Sequence, residues 1–104
     1  GASDKGYYDN GSWRSEPNVK NFIKVQQKIA DEQHVAFWNL FDSMGGENSI
    51  VRWVQEKPSK ANTDYEHPNH RGAKEIADMF YDFLMSRYEN YLSVKDTTYA
   101  ATPN

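Results

Sequence analysis

Val35-Ala36-Phe37-Trp38-Asn39-Leu40 is the stretch on which the fold class turns. It is short, nearly continuous in apolar residues, and bounded by polar residues and then by Gly45-Gly46. Such a run fits a strand buried on both faces, as in a parallel sheet, and predicts an α/β protein. Upstream, Val19, Phe22, Ile23, Ile29 and Ala30 recur at helical spacing among Lys and Gln. They predict an amphipathic helix over residues 16–33, with Ser15 as N-cap and Pro17 in the first turn. The Gly-, Asp- and Asn-rich residues 1–14 read as a loop.

Downstream, residues 47–55 predict a short helix presenting Ile50, Val51, Trp53 and Val54. Residues 57–63 are a polar connector. From Ala73 on, Ile76, Ala77, Phe80, Phe83, Leu84, Tyr88, Tyr91 and Leu92 form one helical stripe. Residues 95–104 read as a flexible tail, leaving residues 1–94 as the folded part. This order holds one convincing strand, whose backbone N–H and C=O groups need partners on both edges. The expectation is therefore a piece of a larger α/β domain, or a chain that completes its sheet in a homodimer by strand pairing.

Composition narrows the function. Three Trp, seven Tyr and five Phe among 104 residues are too many for a disordered chain, although the mean hydropathy is −0.94. Twelve basic residues scattered among fifteen acidic ones give a net charge of −3, without the clustered Lys and Arg of a nucleic-acid binder. No apolar run approaches the roughly 20 residues that span a bilayer. With no cysteine, disulfides, thiolate metal sites and cysteine nucleophiles are excluded. The chain opens on Gly1-Ala2-Ser3 without an initiator Met, which suggests a processed chain whose true N-terminus is expected elsewhere.

The one dense cluster of ionisable groups is Asp64-Tyr65-Glu66-His67-Pro68-Asn69-His70-Arg71-Gly72, in the loop entering the last helix. An Asp three residues before a His, in a turn held by the following Pro, can bring its carboxylate to the imidazole Nδ1–H. That contact frees Nε2 to accept a proton and stabilises the imidazolium. It is the acid and base half of a nucleophilic triad, which needs a Ser hydroxyl from elsewhere. A metal reading of Asp64, Glu66, His67 and His70 needs a helical loop, and Pro68 biases His67 away from helical geometry.

Asp-x-x-His-Pro-Asn-x-x-Gly followed by a long amphipathic helix resembles the last signature block of the SGNH (GDSL-like) hydrolases. Ala36-Phe37-Trp38-Asn39-Leu40-Phe41, Met44-Gly45-Gly46-Glu47-Asn48-Ser49 and the opening Gly1-Ala2-Ser3-Asp4 look like the branch that includes peptidoglycan O-acetylesterases. The resemblance covers residues 1–92. It implies the C-terminal part of a flavodoxin-like three-layer α/β/α fold, helix-rich as a fragment, and serine-dependent hydrolysis of small esters, commonly acetylated carbohydrate. It implies no cofactor and no metal, and an extracytoplasmic bacterial setting. The family's acid falls on Asp64 and its base on His67; its Gly-Asp-Ser nucleophile block and its oxyanion Gly and Asn have no counterpart here, so the partner expected is the N-terminal part of the same domain.

Ser43, in Phe41-Asp42-Ser43-Met44-Gly45-Gly46, imitates a nucleophile turn, but Phe41 stands where the family has Gly. A helix-start or turn role suits it better. His70 reads as an exposed first-turn residue, Trp38 and Trp53 as core aromatics, and Tyr81, Tyr88 and Tyr91 as helix packing. Gly72 is expected to allow close packing of the last helix. Trp13 is open between packing and a sugar-stacking platform, and the latter belongs to an alternative reading, a glycan-binding accessory module without catalysis.

Overall fold

A computed structural model describes the backbone of residues 1–101 and the side chains of residues 1–95. Its character is mixed: four helices and one two-stranded sheet among the described residues. Strands β1 (Gly6–Asp9) and β2 (Ser12–Ser15) pair antiparallel, with Tyr8 opposite Trp13 and Gly6 opposite Ser15. Their two-residue turn is Asn10-Gly11, both at positive φ (49° and 77°), the backbone a tight hairpin requires. The loop expected over residues 1–14 is thus corrected to a lead-in without regular structure and a hairpin.

Helix α1 (Val19–Glu32) buries Val19, Ile23 and Ala30. Its N-cap is Asn18, whose side chain makes no cap bond; the Asn18 N–H instead donates to the Glu16 carboxylate at 2.8 Å. Ser15, expected as the cap, is spent elsewhere: its hydroxyl donates to Asp4 at 2.8 Å. The helix ends in a left-handed His34 (φ 55°), with the Val35 N–H closing on the Ala30 carbonyl, a Schellman-type stop.

The strand expected at residues 35–40 is not formed. Residues 35–39 run without regular structure, Val35 is 61% exposed, and Leu40 already begins helix α2 (Leu40–Met44). The physical reason is the missing ladder: the chain's one sheet among the described residues is the hairpin, so no neighbouring strand offers partners to this run. One contact marks its neighbour in space, the Gly1 ammonium donating to the Trp38 carbonyl at 2.8 Å.

Asn39 caps α2 by accepting from the Asp42 N–H at 2.9 Å. Helix α3 (Ser49–Gln55) follows a left-handed Asn48. The main core lies between α2, α3 and the start of helix α4 (His70–Ala101): Met44, Ile50, Trp53 and Ala61 are buried, with Leu40, Ile76 and Met79 packed against them. Trp53 fills it as expected, 3% exposed, its indole N–H donating to the Met44 carbonyl at 3.1 Å. Val19, Ile23 and Phe41 form a second cluster with Ala2 and Phe37.

Only the first turns of α4 meet this core. Gly72 sits where a Cβ would run into the Lys60 carbonyl oxygen, so the close approach expected there is made to the connector's backbone. Lys60 ties the same region together, pairing with Glu75 at 2.8 Å and Glu56 at 3.1 Å. Farther along, Tyr81, Tyr88 and Tyr91 are 55–61% exposed, which corrects their reading as packed residues. The tail expected from Lys95 is helical backbone as far as Ala101, and residues 102–104 lie outside the described residues. The radius of gyration, 17.9 Å against about 13 Å for a globule of this length, reflects the projecting helix.

Candidate active site

The loop between α3 and α4 closes on itself before it presents any side chain. Ala61 and Pro68 form an antiparallel bridge, the Asn62 N–H donates to the His67 carbonyl at 2.8 Å, and the Asn69 N–H donates to the Lys60 carbonyl at 3.0 Å. Asn69 then starts α4: its side-chain oxygen accepts from the Gly72 N–H at 3.0 Å while its amide nitrogen donates to the Ser59 carbonyl at 2.9 Å. Residues 62–67 are left as a tight turn pinned at its base.

Inside that turn Asp64 and His67 meet. Asp64 Oδ1 accepts the Glu66 and His67 backbone N–H groups at 2.9 and 3.0 Å, and Asp64 Oδ2 lies 2.7 Å from His67 Nδ1. The His67 backbone N–H above all, then its imidazole and the Glu66 N–H, hold the Asp64 carboxyl down to about 2. It is therefore ionised near neutral pH, and an ionised carboxylate only accepts, so Nδ1 carries the proton and Nε2 is left as the acceptor. The hydrogen bond to Asp64 and its negative charge raise the His67 imidazole above its ordinary 6.5, with a smaller push from Glu66. Both side chains are solvent-accessible, at 67% for His67 and 46% for Asp64.

The turn needs Tyr65 in the left-handed conformation (φ 57°), which costs a residue with a Cβ about 1–2 kcal/mol. Two neighbours from the N-terminal hairpin hold it there. The Gly6 N–H donates to the Tyr65 carbonyl at 2.6 Å, and Trp13 stacks on the Tyr65 ring with centroids 4.0 Å apart and planes 11° apart. Behind the hairpin, buried Asp4 accepts from the Ser15 hydroxyl at 2.8 Å, the Ile50 N–H at 3.0 Å and the Ser49 hydroxyl at 3.4 Å. Asn48 closes the ring, its N–H donating to Ser15 Oγ at 2.7 Å and its side chain accepting from the Ser15 N–H at 2.9 Å.

The other residues singled out in the sequence fall outside this pair. His70 opens α4 and is exposed. Glu66 turns to Lys5 at 3.6 Å. Ser43 lies within α2, its hydroxyl donating to the Asn39 carbonyl at 3.0 Å as an in-helix bond. Among the described residues no group of three His, Asp or Glu converges on a metal position, and no helix is long and apolar enough to cross a membrane. Trp38 is half-buried against Phe80 at 5.1 Å and, with Pro68, Ala73, Ile76 and Ala77, lines an open apolar groove of about 520 Å³ beside the turn. Asp4, Gly6 and Tyr65 were not legible as supports of the turn; the Asn10-Gly11 dipeptide, a hairpin signal, was the clue to the element that carries Gly6 and Trp13.

No family model, curated protein or solved structure matches the chain.

Proposed function

We propose that this chain is the C-terminal part of a serine-dependent ester hydrolase of the SGNH type, in which Asp64 is the acid and His67 the base. The observation that carries the reading is the 2.7 Å contact between His67 Nδ1 and an Asp64 carboxylate whose other oxygen is fixed by two backbone N–H groups. A carboxylate held in this way orients the ring and offsets the charge of the imidazolium, while Nε2 is the atom available to a hydroxyl nucleophile. The Ser and the oxyanion donors belong to a part of the domain outside this chain.

In the complete site His67 Nε2 takes the proton of the Ser hydroxyl as its oxygen attacks the ester carbonyl. The tetrahedral oxyanion is met by donors from the other part of the domain. His67 then gives the proton to the departing alkoxide, and water, activated by the same imidazole, releases the acid and regenerates Ser. An acetylated carbohydrate is the substrate class that the motif resemblance favours, in an extracytoplasmic bacterial setting, and a flavodoxin-like sheet is the frame it favours. The unpaired run at residues 35–39 and the adjacent Gly1 lead-in are the segments such a sheet would recruit, from the same polypeptide or from a second copy.

The test is hydrolysis of p-nitrophenyl acetate by the protein carrying an upstream Gly-Asp-Ser segment together with this chain. Turnover is expected there and absent from the 104-residue chain alone. His67→Ala should lower it on the order of 10⁴-fold or more. Full activity in that variant, or labelling of the 104-residue chain at Ser43 by a fluorophosphonate, would overturn the assignment. Glycan recognition without catalysis is less well supported, because one face of Trp13 is already covered by Tyr65.

A further inference from the structure

The hairpin β1–β2 spends its best contacts on one residue of the Asp64–His67 turn. Tyr65 is left-handed and lies between the carboxylate and the two N–H groups that the carboxylate binds. Its carbonyl is held by the Gly6 N–H and its ring by Trp13. The fit is close: a Cβ on Gly6 would collide with the Tyr65 Cβ. Trp13 is itself braced, with the Tyr8 ring edge-on at 5.4 Å across the strand pair. Two residues farther along β2, Ser15 is fixed to buried Asp4 and to Asn48. A chain of contacts therefore runs from the buried Asp4 cluster through β2 to Trp13, and from Trp13 to the turn.

We infer that Trp13 is a positioning residue for the Asp64–His67 pair: stacked on Tyr65, it holds the turn in the left-handed form that brings the carboxylate to the imidazole. Its catalytic consequence rests on the ester-hydrolase reading, whereas the contact it supports is a property of the chain in hand. Without a planar partner, Tyr65 keeps only backbone restraints, the Gly6 bond to its carbonyl and its own N–H donating to the Asn62 carbonyl at 3.1 Å. Its side chain then no longer opposes departure from the left-handed region. Asp64 Oδ1 loses its paired N–H donors, and Oδ2 swings away from Nδ1. The charged groups facing His67 are Asp64 and Glu66, and Glu66 is paired to Lys5 on the hairpin side. Loss of the stack therefore removes the stronger of the two influences that favour the imidazolium.

The experiment is an NMR titration of His67 in the 104-residue chain and in Trp13→Leu, Trp13→Phe and Asp64→Asn. Leu keeps apolar bulk without a stacking face, Phe keeps the face, and Asp64→Asn marks the value of an imidazole without its carboxylate. The indole N–H of Trp53, buried and bonded to Met44, reports whether the core persists. In Trp13→Leu the His67 pKa should fall most of the way to the Asp64→Asn value while the Trp53 signal stays, and Trp13→Phe should recover most of the wild-type value. An unchanged titration in Trp13→Leu overturns the inference. So does an equal fall in the Leu and Phe variants accompanied by loss of the Trp53 signal, which would make Trp13 merely structural.

Kinetics in the complete enzyme separate the remaining possibilities. A positioning role lowers kcat for p-nitrophenyl acetate, and a sugar platform instead raises KM for glycan esters with the His67 titration unmoved, which would overturn the inference. Should the titration shift as expected while no ester is hydrolysed by any form of the protein, the positioning role stands and the hydrolase reading falls.

Discussion

At the scale of single residues, the Asp64–His67 contact sets opposite pH limits on the turn. The Asp64 carboxyl, lowered to about 2, contributes stability that is present above its unfolded value of 3.8 and lost as pH falls through about 2. The raised imidazole of His67 contributes stability that is full below 6.5 and lost as pH rises through its folded value. The turn is thus held best between 3.8 and 6.5. The proposed catalysis has a different requirement, because an imidazole accepts a proton only when neutral. Ester hydrolysis should therefore climb with pH along a limb centred above 6.5, the ordinary imidazole value. Asp64→Asn should bring that limb down toward 6.5 and cut kcat by about 10⁴-fold. A wild-type limb centred below 6.5, measured as kcat/KM against pH, would contradict the stabilised imidazolium.

At the scale of elements, the hairpin, α3 and the Asp64–His67 turn depend on one buried side chain. Asp4 is fully buried, and its carboxyl accepts from β2, from the start of α3 and from the Lys5 N–H at 2.9 Å. Replacing it with Ala removes the acceptor that the Ser15 hydroxyl and the Ile50 N–H use. A stranded buried donor costs about 1–3 kcal/mol, so with two of them Asp4→Ala should destabilise the chain by roughly 2–6 kcal/mol. Urea unfolding followed by Trp fluorescence measures it, and a change under about 0.5 kcal/mol would show that water replaces the carboxylate freely. The same elements show which local signals were readable. Helices α1, α3 and α4 announced themselves by 3.6-residue spacing, while the Asn10-Gly11 hairpin was hidden in a polar stretch whose strands are four residues each. The run at residues 35–40 carried a strand's composition, but a strand forms only when another backbone pairs with it.

At the scale of the whole molecule, the described residues leave two helix faces largely uncovered. Phe22, Val25 and Ile29 on α1 are 54–56% exposed, and Leu84, Tyr88 and Leu92 project from α4 at 38–55%. Scattered exposed apolar residues are ordinary, but contiguous ones on an isolated helix face are the mark of an interaction surface. The 104-residue chain should accordingly bind a hydrophobic dye and associate with rising concentration in sedimentation experiments. Both signals should drop when the proposed remainder of the domain is present in the same polypeptide. A chain that stays monomeric and dye-silent on its own would argue against a larger domain around it.

What the sequence determined by itself is what three or four neighbouring residues can build. Asp64 and His67 meet within one turn, so their spacing alone implied that contact. The tertiary structure decided what holds that turn in place. Gly6, Trp13 and Asp4 stand about fifty or sixty residues away along the chain, and no local periodicity encodes a stack or a backbone bond across that separation. It also decided the state of Val35 to Asn39, because strand pairing is a property of two segments and the sequence of one cannot supply it.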